Sequence, residues 1–281
     1  MVIAVASGKG GTGKTTVACA LALCGEKDVC LLDCDVDEPN AHILLHPRIE
    51  ETVVASVVRP HIDEALCDGC GACSRVCRYR ALTVLRDKPL LLEHLCHGCG
   101  GCSLVCPKGA ITEKAKPIGR IERGHAGDIR FVSGVLNVGE AMSPPLIRQV
   151  RAQATGCRDV VIDAPPGTSC PMVAAARGSD FCVLVTEPTP FGLHDLSLAV
   201  EVVRKLGVPF GVVINIADIG DDRVERYCRD QEVEVLARIP YDRTIAEAYS
   251  RGRPIIEARP KLQAVFSGIV RDIHARGGSA A

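Results

Sequence analysis

The chain of 281 residues has no tryptophan, four tyrosines and five phenylalanines, and its formal net charge is only -1. Neither a basic face nor an aromatic stacking platform stands out, so nucleic acid is excluded as a primary ligand. No run reaches the roughly 18 apolar residues of a spanning helix. The first residues enter the apolar run Val2 to Ala6 without a preceding basic region, which reads as a first strand and not as a signal peptide. Cysteine is the opposite case: there are sixteen, and eight of them fall between Cys67 and Cys106. Clustered thiols in a chain without export signals point to a reducing, cytoplasmic setting and to metal-bound thiolates in preference to disulfides.

With 47% hydrophobic residues the chain can bury one substantial core and a small satellite. Short β-branched runs ending in polar or Gly/Pro turns recur at Val2 to Ala6, Val29 to Asp33, Val160 to Asp163, Phe181 to Val185 and Phe210 to Ile214. Such runs suit buried parallel strands. Between them lie helical patterns, clearest from His194 to Leu206, with Gly207 as a stop. The segment from Pro60 to Lys114 breaks this rhythm. The expected division is therefore one α/β domain of residues 1–59 and 115–281, interrupted by a small domain of residues 60–114.

Gly8-Lys9-Gly10-Gly11-Thr12-Gly13-Lys14-Thr15-Thr16 lies between the first strand and a helix starting near Thr15. This is the P-loop pattern in its required strand-to-helix setting. Its glycines let backbone N–H groups converge on phosphate oxygens, Lys14 reaches the β and γ phosphates of ATP, and the Thr15 hydroxyl can hold Mg²⁺. Two strand ends deliver further carboxylates. Asp33-Cys34-Asp35 closes the second strand, and Asp163 precedes Ala164-Pro165-Pro166-Gly167. Acids placed there can orient a water or a metal ion.

The insert carries different chemistry. Cys67, Cys70, Cys73 and Cys77, then Cys96, Cys99, Cys102 and Cys106, each follow the C-x₂-C-x₂-C-x₃-C spacing of two-cluster bacterial ferredoxins. In that pattern the fourth cysteine of each run ligates the other cluster. One 4Fe-4S cluster is thus expected on Cys67, Cys70, Cys73 and Cys106, and a second on Cys77, Cys96, Cys99 and Cys102. Zinc is the alternative for paired C-x-x-C elements, but two full runs favour iron–sulfur. Arg78 stands where the second run has Pro107, so the second cluster is expected to be more exposed or differently tuned.

The extra lysine after the first glycine, Lys9, resembles the deviant Walker A loop of the MinD, ParA, Mrp and nitrogenase-iron-protein superfamily. The implied fold is α/β: a P-loop NTPase with a mostly parallel sheet flanked by helices, plus an inserted small bacterial-ferredoxin-like α+β domain. The resemblance further implies a homodimer through a nucleotide sandwich, with Lys9 reaching the partner's ATP. Asp35 would position the attacking water in switch I with support from Asp33, and Asp163 would hold Mg²⁺ in Walker B. Asn215 and Pro240 would stand on the adenine side. Cys170 sits at an offset from Asp163 resembling that of the cluster cysteine in the nitrogenase iron protein, which raises a cluster shared between subunits.

Three functions are consistent with these residues. ATP-gated electron transfer to a redox partner protein or a paralogous ATPase leads, because adjacent clusters form a wire and a switch ATPase supplies two states. A cluster carrier of the Mrp type is second, although no C-terminal C-x-C or C-x-x-C pair exists outside the insert. A spatial-positioning ATPase with redox-sensing clusters is third. The C-terminal stripe of Leu262, Val265, Phe266, Ile269, Val270 and Ile273 is read as the inner face of a last core helix in preference to a membrane anchor.

Overall fold

The computed structural model describes residues 1–277. Eleven strands form in chain order: β1 Val2–Ala6, β2 Val29–Asp33, β3 Arg48–Ile62, β4 Leu82–Leu85, β5 Lys88–Leu91, β6 Ile111–Ala126, β7 Ile129–Leu136, β8 Asp159–Asp163, β9 Phe181–Thr186, β10 Phe210–Asn215 and β11 Val235–Ile239. The α-helices are α1 Lys14–Leu23, α2 Ala41–Leu45, α3 Ala72–Val76, α4 Gly101–Leu104, α5 Pro144–Arg151, α6 Cys170–Ala176, α7 Pro190–Leu206, α8 Arg223–Asp230, α9 Arg243–Ser250, α10 Ile255–Ala258 and α11 Lys261–Gly277.

Nine strands make one sheet in the order β11-β10-β9-β1-β8-β2-β7-β6-β3, and β4 pairs with β5 separately. From β11 to β7 all pairings are parallel, while β6 runs antiparallel to both β7 and β3. The five runs read as strands all lie in the parallel part. Their side chains are buried on both faces, one set against α5, α6 and α7 and the other against α1 and α11. Such two-sided burial is why they read as continuous apolar runs. Phe131 of β7 and Phe266 of α11 are fully buried. Phe266, Ile269, Val270 and Ile273 belong to the core cluster and Leu262 packs against it, so most of the C-terminal stripe is an inner face, while Val265 is exposed.

Helix α7 begins earlier than the expected His194. Thr189 caps it by accepting from the Gly192 amide at 3.0 Å, Pro190 occupies its first turn, and Gly207 ends it in the left-handed region. The strands β3, β6 and β7 have no counterpart among the expected runs. β3 and β6 are long and studded with charges, because much of this ribbon is solvated on both faces and no apolar alternation survives in the sequence. The ribbon frames the cysteine segment: β3 continues to Ile62, β6 starts at Ile111, and these two residues are cross-strand partners. Within the segment, β4 and β5 are joined by Arg86 and Asp87, both at positive φ (50° and 62°), as a two-residue hairpin turn requires.

Candidate functional site

The phosphate loop forms where β1 ends and α1 begins. Gly8 passes so close to α7 that a Cβ there would lie 2.2 Å from the Asp195 carbonyl oxygen, and Gly13 takes φ 87° at the N-cap of α1. Only glycine satisfies both demands. The loop borders a cleft of about 480 Å³ at the carboxyl ends of the parallel strands. That is within the usual range for a ligand site and at the usual place for an open α/β sheet.

Four charged groups meet under the loop. Lys14 Nζ donates to Asp163 Oδ1 at 2.6 Å and lies 3.7 Å from Asp35 Oδ2, while the Thr15 hydroxyl donates to Asp163 Oδ2 at 2.6 Å. Burial works to lower the Lys14 pKa, but the carboxylates of Asp163 and Asp35 outweigh it and hold the ammonium charged. The acids outnumber this cation. Burial and then the Asp163 charge push Asp33 up to about 8, and burial raises Asp35 to about 6 against the pull of Lys14. Thr15 and Asp163 together offer the hydroxyl and carboxylate oxygens that suit Mg²⁺. Thr12 Oγ1 is buried in the loop without a hydrogen-bond partner, a polar atom still unmatched beside a site for phosphate.

Asp33 braces the next loop. Its carboxylate accepts from the amides of Asp35 at 3.2 Å, Asn40 at 3.0 Å and Ala41 at 3.0 Å, tying the loop and the start of α2 to the end of β2. Asp35 itself lines the cleft. The turn after β8 is tied to the phosphate loop through Gly167 N, which donates to Ser7 O at 2.9 Å. Gly167 has φ 91° with open space around it.

Asn215 and Pro240 both line the cleft. The Asn215 amide donates to Thr12 O at 2.9 Å, so this side chain buttresses the phosphate loop. Sequence reasoning missed Glu187, whose carboxylate pairs with Lys9 Nζ at 3.2 Å, and the cleft wall of Tyr241, Ile245 and Tyr249. Glu187 directly follows β9, and a charged residue at a strand's carboxyl end was the available signal. Ile216, at φ 54°, is a β-branched residue held in the left-handed region beside the cleft.

The cysteines gather around two further cavities. One is lined by Cys67, Cys70, Cys73 and Cys106, the other by Cys77, Cys96, Cys99 and Cys102. Each quartet has one buried, one exposed and two half-buried thiols. The site expected to be more open is therefore no more open than its counterpart. Beside Arg78, Tyr79 stacks on His97 with ring centroids 3.6 Å apart, and both rings line that cavity. Gly69 and Gly98, and likewise Gly71 and Gly100, repeat a positive φ at matching positions of the two runs. In the same way Cys77 N donates to Ser74 O and Cys106 N to Ser103 O. Among the described residues, no three His, Cys, Asp or Glu side chains converge tightly enough to hold a single metal ion. Cys170 is exposed at the first position of α6, outside both quartets.

A mostly parallel sheet carrying a strand-to-helix phosphate loop defines a P-loop nucleotide-binding protein. Residues 3–255 match the family model described as the CobQ/CobB/MinD/ParA nucleotide binding domain, and the chain belongs to that family. An uncharacterized protein of Methanocaldococcus jannaschii is 31% identical over 264 residues, covering 92% of each chain. The iron-sulfur cluster carrier protein of Pyrococcus abyssi is 26% identical over 276 residues, covering 90% of this chain and 78% of that one. Among solved structures, the septum site-determining protein MinD of Pyrococcus horikoshii, complexed with Mg-ADP, superposes with a TM-score of 0.60. Its identity is 19%, with 100% of this chain and 98% of that chain covered. A ParA family ATPase from Chlorobium tepidum gives 0.56 at 14% identity, covering 97% and 96%. No helix among the described residues is long and apolar enough to cross a membrane.

Proposed function

We propose that the protein is an ATP-hydrolysing switch that carries two 4Fe-4S clusters on the segment between β3 and β6. The observation that carries this reading is the sorting of eight cysteines into two cavities, each lined by the four residues that the crossed ferredoxin pattern assigns to one cluster. Bound there, a cluster would supply one-electron redox capacity or a transferable iron–sulfur unit.

At the nucleotide cleft, this chain's own residues suffice to describe hydrolysis. The phosphate-loop amides and Lys14 hold the β and γ phosphates, and Thr15 with Asp163 supplies the oxygen ligands for Mg²⁺. Asp35, raised to about 6 by burial, is ionised at neutral pH yet close enough to that range to accept a hydrogen bond from the attacking water and orient it. Asp33 fixes the backbone that carries Asp35. Lys9 leaves Glu187 to reach the nucleotide of a second copy of the chain, giving a homodimer closed over ATP.

For the clusters, delivery to an acceptor protein is the first reading. It is supported by several relatives at about this level of similarity that bear the name of iron-sulfur cluster carrier or transfer proteins. Electron transfer to a partner is the second, and the pairing of two quartets on one small segment favours it. One anaerobic experiment separates them. The iron-loaded protein is incubated with an apo-ferredoxin and, in parallel, with a holo-acceptor of electrons, with and without ATP·Mg²⁺. Loss of iron and sulfide from the protein with matching gain by the apo-acceptor supports delivery. Retained iron with ATP-dependent reduction of the holo-acceptor supports electron transfer, and a Lys14→Ala variant must lose whichever dependence is seen.

A further inference from the structure

The two cysteine cavities match in ligands and exposure but differ in charge. The cavity of Cys67, Cys70, Cys73 and Cys106 has Asp68 and Lys108 as its charged lining residues, both on the surface and 3.9 Å apart, and the guanidinium beside its ligand loop, that of Arg75, is exposed and already donates to the Cys70 carbonyl at 3.0 Å. The cavity of Cys77, Cys96, Cys99 and Cys102 is also lined by Arg59, which is only 6% exposed. Burying a guanidinium is costly unless an anion compensates it.

Arg59 is poorly compensated by the protein. Among the described residues its one ion contact is Glu140, at 3.9 Å, and that carboxylate is also 3.6 Å from Lys116. Its Nε is buried with no hydrogen-bond partner. The guanidinium abuts the ligand loop: a Cβ on Gly98 would lie 3.5 Å from Arg59 Nη1. The remaining charges nearby do not replace the missing partner. Lys116 is matched by Glu93 at 2.8 Å, Glu113 is exposed on the cavity rim, where it accepts from Ser103 at 3.3 Å, and His97 is stacked on Tyr79.

We propose that Arg59 is the fixed counter-charge for an anionic group held by Cys77, Cys96, Cys99 and Cys102, and that it makes this quartet the higher-potential site of the two. The assignment rests on the iron–sulfur reading given above. A permanent positive charge in a low-dielectric wall favours the more negative, reduced state of whatever the thiolates hold. Charge near the cluster is one of the protein's main means of setting its potential. Glu140, drawing on Arg59 from the opposite side, is the positioning residue.

The test is an anaerobic redox titration of the full-length, iron- and sulfide-loaded protein, followed by electron paramagnetic resonance. Cys102→Ser and Cys73→Ser variants identify which signal belongs to which quartet. The expected result is two separate midpoint potentials, the higher belonging to the Cys102 quartet. Arg59→Gln should lower that potential alone, Arg59→Lys should largely preserve it, and Glu140→Gln should raise it. Should Arg59→Gln not fold, Glu140→Gln carries the test. Full iron with neither potential moved, or with both moved equally, overturns the assignment alone. A wild-type chain that takes up no iron overturns the cluster reading and the assignment with it.

Discussion

The carboxylate of Asp163 is shared by Lys14 and Thr15, with each donor 2.6 Å away on a separate oxygen. Both donors come from the first turn of α1 and the acceptor from the end of β8, so one carboxylate ties the phosphate loop to the centre of the sheet. Lys14→Ala removes what is, among the described residues, the sole ammonium beside Asp33, Asp35 and Asp163. Steady-state ATP hydrolysis should fall by about 100-fold or more, the scale of losing one well-placed electrostatic donor. Turnover within a few-fold of wild type would show that phosphate charge is handled elsewhere.

The surplus of acid around Lys14 gives stability a definite pH dependence. Asp35 has a folded-state pKa of about 6, above its ordinary value, so its contribution is fully present below about pH 4 and is lost as pH rises through 6. Asp33, pushed up to about 8, extends the same trend to higher pH. Asp35→Asn should therefore raise the thermal midpoint of the nucleotide-free protein at pH 7.5 and lose most of that advantage at pH 4.5. About 2–4 °C is expected for each kcal/mol of relief. The same variant should hydrolyse ATP poorly. A midpoint unchanged at both pH values would mean that Asp35 is not held under repulsion.

Asp33→Ala strands amides of the loop after β2 that no other side chain reaches. Measured at about pH 4, where the repulsion on Asp33 is absent, a cost of about 1–3 kcal/mol per unmatched buried group is expected, read as a lower denaturant midpoint with an unchanged slope. Hydrogen exchange should rise first at Asn40 and Ala41. Protection there equal to wild type would contradict the bracing role.

Lys9 and Glu187 face each other at 3.2 Å within one chain. If Lys9 serves a partner's nucleotide, Lys9→Ala should still bind ATP yet lose ATP-dependent dimerisation in light scattering. A variant that dimerises normally would sink the sandwich proposal while leaving the cleft chemistry intact.

The cysteine quartets predict a counting result. Wild type should bind about eight irons per chain, and Cys73→Ser or Cys102→Ser about four. Cys170→Ala, remote from both quartets, should change nothing. An iron loss confined to Cys170→Ala would instead favour a cluster at the start of α6.

Much of this was legible in the chain because the relevant signals are local. The phosphate loop is a contiguous string with glycine at the two positions, Gly8 and Gly13, where close approach or left-handed backbone demands it. The cysteine runs are likewise self-contained. The ribbon of β3 and β6 was not legible, since its pairing is long-range and its residues alternate with no single buried face. Arg59 and Glu140 were invisible for a related reason: one lies in β3 and the other beyond β7, and only the fold brings their side chains to 3.9 Å of each other. The Asn215 amide shows the remaining limit. Asn215 is the last residue of β10, and the Thr12 carbonyl that it braces lies in the phosphate loop 203 positions earlier, a contact that no spacing reveals.

The cross-strand pairing of Ile62 with Ile111 means that everything between them leaves the sheet and returns to it at one rung of a ladder. A host whose two cut ends stay hydrogen-bonded neighbours loses no topology when such a passenger is gained or removed. Replacing the intervening chain with a two-residue turn should leave the nine-stranded sheet and its phosphate loop folded, so the cysteine segment and the nucleotide cleft can be varied independently of one another.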